Sequence, residues 1–141
     1  MATFVLKTEP TDYSFADLVS DKKATWDGIT NNAALAHLRT ARPGDEAFIY
    51  HTGDEKAIVG LARIVSPPRE DPKALGRTAK GEPKFVVVDL EPIKAVKIPA
   101  TLAQFKADKR FASFPLVTQG RLSVIPVPAA LDSAIRKMTG L

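Results

Sequence analysis

A single tryptophan occurs in the 141 residues, and its neighbours are residue types able to hold a flat, polar molecule. The stretch Thr25-Trp26-Asp27-Gly28-Ile29-Thr30-Asn31-Asn32-Ala33-Ala34-Leu35 places an indole next to a glycine and two adjacent asparagines. Gly28 permits a bend that a residue with a Cβ would resist. Thr30, Asn31 and Asn32 are helix starters, because their short polar side chains accept bonds from the free amides of a first turn. The expected product is an aromatic plate beside a helix N-terminus, with unpaired N–H groups and carboxamides facing outward. Such a corner suits a nucleobase. The competing reading makes Trp26 a core or rim residue and Asn-Asn-Ala-Ala an ordinary helix start.

Composition narrows the remaining chemistry. Without cysteine there is no disulfide, thiolate metal site or cysteine nucleophile. The two histidines lie outside any metalloprotease-like spacing, so no metal or cofactor is expected. A net charge of +4 permits nucleic acid as a partner without requiring it. No apolar run is long enough to span a bilayer, and the first residues lack a signal-peptide pattern. A cytoplasmic protein that does not engage membrane is the expectation.

The hydrophobic pattern supplies the scaffold. Residues 4–9 read as a strand stopped by Pro10, which offers no ladder N–H. Alternation puts Phe4, Leu6 and Thr8 on one face and Val5, Lys7 and Glu9 on the other. Lys7 and Glu9 are then either a solvated ion pair or the charged rim of a pocket. Ser14 with Asp17 marks a short helix over residues 15–19, with Phe15, Leu18 and Val19 on its apolar side. Ala34, Leu35, Leu38 and Ala41 recur at helical spacing over residues 31–41, and Pro43-Gly44-Asp45 ends that helix.

Residues 47–51 and 57–65 read as a hairpin, with Gly60 a bulge or a point of close backbone approach. Residues 66–83 form the longest irregular part, of a length that tends to be functional or mobile. A strand over residues 84–90 runs on, kinked, to residue 98. A helix over 102–107, a strand over 121–127 and a helix over 129–138 complete the chain. Five to six short strands with small helices between them predict one α+β domain over residues 1–141. A curved or closed barrel is its simplest form, since closure removes exposed edges.

Taken in order, several segments resemble the EVE domain family. They are Lys7-Thr8-Glu9-Pro10, Tyr13-Ser14-Phe15-Ala16-Asp17-Leu18, Trp26-Asp27-Gly28-Ile29 with Asn31, Pro43-Gly44-Asp45 before Phe48-Ile49-Tyr50-His51, Ile58-Val59-Gly60-Leu61-Ala62, and Arg121-Leu122-Ser123-Val124. The resemblance covers nearly the whole chain. It implies a PUA-like pseudo-barrel of mostly antiparallel strands surrounded by short helices. It also implies a non-catalytic role in recognising a modified base, such as methylated or hydroxymethylated cytosine, in DNA or RNA. Carried over residue by residue, the pocket would involve Lys7 to Glu9, Ser14, Trp26 with Asn31, Tyr50-His51, and Arg121 with Ser123. The chain departs from many relatives at Thr30, where they carry a basic residue. After Pro72 it lacks their second tryptophan, Phe85 being the nearest aromatic.

Within that frame each group has a task. Trp26 is the candidate platform, and stacking on an aromatic is worth about 1–3 kcal/mol per base. Asn31 or Asn32 offers donors and an acceptor to a Watson–Crick edge. Ser14 and His51 supply single hydrogen bonds, with Tyr50 and Ser123 beside them. Lys7, Arg121, Lys22 and Lys23 are candidates for phosphate contacts, which anchor without reading sequence. The bland alternatives are a core Tyr50, a structural His51, a helix-capping Ser14 and an Arg121 paired with Glu9. ASCH-type relatives of the fold include amidohydrolases of acylated cytidine. Lys7, Thr8 and Glu9 are the set such a hydrolase would use, although alternation turns Thr8 away from its neighbours. A further alternative is an interaction subunit whose inherited pocket is unused.

Overall fold

The computed structural model describes residues 1–141. In chain order the elements are β1 (Thr3–Thr8), α1 (Phe15–Asp21), β2 (Ala24–Trp26), α2 (Asn32–Leu38), β3 (Glu46–His51), β4 (Ala57–Ile64), β5 (Arg69–Glu70), β6 (Val86–Thr101), α3 (Leu102–Ala107), a 3-10 turn (Lys109–Phe111), α4 (Pro115–Thr118), β7 (Val124–Pro126) and α5 (Ala129–Thr139). The strands form one curled sheet ordered β2-β6-β4-β3-β1-β7, with β5 paired to β6 off that path. All pairings are antiparallel except β1 with β3. Seven strands thus replace the expected five to six, because β2 and β5 are too short to show a hydrophobic period. The sheet is a half-barrel and not a closed one, since no ladder joins β2 to β7.

Residues on both faces of β1 are buried: Phe4, Val5 and Leu6 are sealed between β3, β7 and the core. Thirty-three buried residues form one cluster around it. Helix α2 lies against β7, one end of the strand order, and against β6, the neighbour of the other end, and α1 lies on β6. No helix of the chain is long and apolar enough to cross a membrane.

Local signals set several boundaries. Ser14 Oγ accepts from the Asp17 N–H while Asp17 accepts from the Ser14 N–H, which closes the capping box of α1. That helix runs on to Asp21, and Val19, expected on its apolar side, is half exposed. Helix α2 stops at Leu38, short of the expected residue 41, and β7 begins at Val124, later than the expected residue 121, because Arg121 still belongs to a turn with Gly120 and residues 122–123 are irregular.

Gly60 lies at the expected bulge, and what approaches it closely is a side chain and not the backbone expected. The β3–β4 and β4–β6 registers shift beside it, and a Cβ there would lie 2.4 Å from the Phe15 ring. That ring opens α1 and is itself buried, so it has nowhere to retreat. Gly60→Ala is expected to destabilise the fold by about 1–3 kcal/mol, the usual cost of overpacking a tight core. Urea denaturation checks it, with a lowered midpoint at unchanged slope as the expected result.

Candidate functional site

At the seam between the two ends of the sheet lies a cavity of about 420 Å³, within the range of small-molecule sites. Lys7 and Thr8 come to it from the end of β1, and Ala24, Thr25 and Trp26 from β2. The bend Asp27-Gly28-Ile29-Thr30-Asn31 forms one wall, and Arg121 and Ser123, just before β7, form the other. Gly28 makes the bend with φ +76°. No atom lies within 4 Å of where its Cβ would stand, so the glycine is required by backbone conformation and not by space.

Trp26 pairs with Val88 on β6 and is 8% exposed. The indole is therefore a wall of the recess and not the free-standing plate its sequence context suggests. Tyr13 packs edge-on to it, ring centroids 6.2 Å apart, and closes the same cavity. The Tyr13 hydroxyl donates to Asp21 Oδ2 at 2.8 Å. Burial, with that bond and the negative charges of Asp21 and Asp17, pushes its pKa up to about 12.

Since the folded pKa lies above the ordinary value near 10, Tyr13 favours the fold fully below pH 10, and that contribution is lost as pH rises to about 12. Asp21→Asn is expected to bring the Tyr13 pKa down toward 10. Ultraviolet titration of tyrosinate formation checks this.

Asn31 caps α2 through Oδ1, which accepts from the Ala34 N–H at 2.9 Å. The cap engages Oδ1 and leaves the NH2 without a protein partner on a residue that lines the cavity, so Asn31 has donors free for a ligand. Lys7 Nζ donates to the Gly120 carbonyl at 3.0 Å and lies 5.7 Å from the centre of the Tyr50 ring. Burial lowers the Lys7 pKa, and an anion entering the cavity would counter that shift. Arg121 is exposed and forms no ion pair. Ser123 holds the β1 backbone by accepting the Lys7 N–H through its carbonyl at 3.0 Å. Asp27, at the opposite rim, faces Lys73 at 3.7 Å.

The other residues singled out in the sequence lie elsewhere. Ser14 is occupied in the capping box and lines no part of the cavity. Asn32 is exposed in the first turn of α2 and turned away, one residue being about 100° of helix. Tyr50 is buried behind Lys7.

His51 is also buried, and its Nε2 accepts the Phe15 N–H at 3.0 Å while Nδ1–H donates to Glu55 at 2.8 Å. It ties α1 to the β3–β4 turn. Glu9 accepts from the hydroxyls of Thr11 and Thr52 at 3.2 and 3.1 Å, and so pairs with neither Lys7 nor Arg121. Lys22 is the left-handed C-cap of α1, and Lys23 follows it outside the cavity.

Tyr13 and Asp27 are the chief lining residues that sequence reasoning passed over. Tyr13 stands just before a capping box, where an aromatic ordinarily packs onto the helix it precedes. Its meeting with Trp26 depends on β2 pairing to a strand some sixty residues away. The arrangement offers aromatic walls, a fixed donor, two cations and one carboxylate. No cluster of three or more His, Asp or Glu side chains is present to hold a metal ion.

Rat thymocyte nuclear protein 1 is 31% identical, the match covering 82% of this chain and 59% of the rat protein, so the chain spans little more than half the length of that relative. A protein of Rhodopseudomonas palustris solved by NMR is 38% identical, with a TM-score of 0.88 over 99% of this chain and 94% of its own. Human THYN1, crystallised in complex with DNA containing 5-methylcytosine, superposes with a TM-score of 0.87 at 24% identity, covering 100% of this chain and 99% of the human one. That likeness shows a shared fold. The EVE domain pattern matches residues 2–138, and the chain belongs to the EVE domain family.

Proposed function

We propose that this chain is a non-catalytic module that takes one modified base of a nucleic acid into the seam cavity. The carrying observation is that three separate segments, bringing Lys7, Trp26 with Asn31, and Arg121 with Ser123, meet around one open recess of about 420 Å³. The recess is not filled by the protein's own side chains. A base in a duplex is stacked and paired, so it must be extruded at a few kcal/mol or met in a single strand. Aromatic contact with Trp26 and Tyr13 offsets that cost, and the Asn31 NH2 addresses an acceptor on the base edge.

The DNA bound by human THYN1 supports methylated cytosine in DNA as the first ligand to test, with hydroxymethylated cytosine and RNA next. A hydrolytic role is less well supported. Lys7 and Thr8 reach the cavity, but the Glu9 carboxylate is engaged by threonine hydroxyls outside it. Thr8 Oγ1 is itself spent on the Tyr13 carbonyl at 2.7 Å.

The test is competitive titration of oligonucleotides identical but for one methylated or hydroxymethylated cytosine. Tighter binding of a modified strand, recovered chemically unchanged, is the expected result. Equal affinity for all strands would exclude base reading, and release of an altered nucleoside would exclude the non-catalytic role.

A further inference from the structure

A second recess of about 340 Å³ is lined by Arg39, Arg42, Arg69, Glu82 and three prolines. Three guanidinium groups around one groove, with a single carboxylate among them, favour an anion. Pro67, Pro68 and Pro83 shape the walls without contributing any N–H donors.

Each arginine is held but not exhausted. Arg39 Nη2 donates to the carbonyls of Pro83 and Lys84 at 3.3 and 2.7 Å, which fixes it as a wall. Its Nε is the one buried side-chain nitrogen or oxygen that lacks a partner. Arg42 is exposed, with Nη1 on the carbonyls of Arg39 and Ala41 and its other donors free. Arg69 gives Nη2 to Asp89 Oδ1 at 3.0 Å and Nη1 to Ser66 Oγ at 3.2 Å, and its side chain is 45% exposed.

The groove adjoins the seam cavity. Arg69 Nη2 lies 3.5 Å from Thr25 Oγ1, and Thr25 lines the cavity. Asp89 accepts from both Arg69 and Thr25, and the hydrogen bond from Arg69 is the main cause holding its pKa below the usual carboxylate range. Asp89 also sits opposite Thr25 in the β2–β6 ladder. The cavity edge and the groove edge are thus parts of one hydrogen-bonded unit.

We propose that this arginine groove is a phosphodiester site, gripping the backbone on one side of the nucleotide whose base enters the seam cavity. The assignment rests on the base-reading role and gives it a second anchor. Phosphate contacts of this kind fix register and add affinity without reading sequence.

The experiment measures binding of a plain and a methylcytosine-containing single strand across a salt series. It uses wild type, Arg42→Gln/Arg69→Gln, Arg42→Lys/Arg69→Lys, and the exposed α5 control Lys137→Gln. For the glutamine pair, the slope of log affinity against log salt is expected to shrink by roughly 1–1.5, about 0.7 per lost single-strand phosphate contact. Plain and modified strands should weaken by the same factor, on the order of tenfold. The lysine pair should restore the slope, and the α5 control should keep it. Should the glutamine pair fail to fold, Arg42→Gln alone carries the test at about half the slope loss.

An unchanged slope, or an equal loss in the α5 control, overturns the groove even where base discrimination persists. Loss of slope without any discrimination by wild type upholds the groove and removes the base reader. Absence of binding to any strand overturns both.

Discussion

Asn31→Asp is expected to weaken binding of the preferred modified strand by about ten- to hundredfold while leaving the thermal midpoint unchanged or slightly raised. The two effects separate because the side chain has two jobs on two atoms. Oδ1 caps α2 through the Ala34 N–H, and aspartate caps as well as asparagine does. Its charge also lies at the positive end of a helix. The NH2, by contrast, has no protein partner and is the donor this cavity-lining residue has free for a ligand, and aspartate puts an acceptor in its place. An acceptor opposite a base acceptor costs about 1–3 kcal/mol, the scale of one specific edge contact. Asn31→Ser withdraws the amide NH2, leaving only a shorter hydroxyl, without adding charge, so a similar loss there excludes repulsion of phosphate as the cause. Unchanged affinity in both variants, with melting curves showing intact folds, would remove Asn31 from the site.

The positions legible in the sequence were those decided by near neighbours. Ser14 and Asp17 place the start of α1, residues 102–107 show their helix at both ends, and Gly60 marks the bulge in β4. The hidden features depend on distant chain segments. Three residues cannot display a strand period, so β2 is invisible until Trp26 is seen opposite Val88. The single parallel pairing, β1 with β3, leaves no local mark either.

The same division runs through the site. Trp26, Asn31, Lys7, Arg121 and Ser123 converge because the ends of the half-barrel bring them together. His51, Tyr50 and Ser14 are polar residues in suggestive places that the fold spends on its own amides, core and helix cap. Polar groups near a site must first satisfy buried backbone partners, and sequence does not show which ones have been claimed.

Trp26→Ala is expected to abolish discrimination between modified and plain strands, but it should also cost about 3–5 kcal/mol of stability, because the indole is 8% exposed. A lost signal in that variant alone therefore cannot distinguish an empty wall from a loosened fold, and Trp26→Phe is the decisive companion. Phenylalanine keeps an aromatic surface against Tyr13 and Val88 while shrinking the wall, so the fold should survive with a smaller penalty. The narrow exposed strip of indole leaves no room for a base to cover the whole ring, which puts the expected affinity loss near the lower end of the 1–3 kcal/mol scale, about tenfold.

The chain provides its own readout, since this is its sole tryptophan. A base entering the cavity must change the polarity and contacts of the indole, so wild-type emission should shift in proportion to occupancy measured independently with a labelled strand. Saturated binding that leaves the emission untouched would place the ligand somewhere other than the seam.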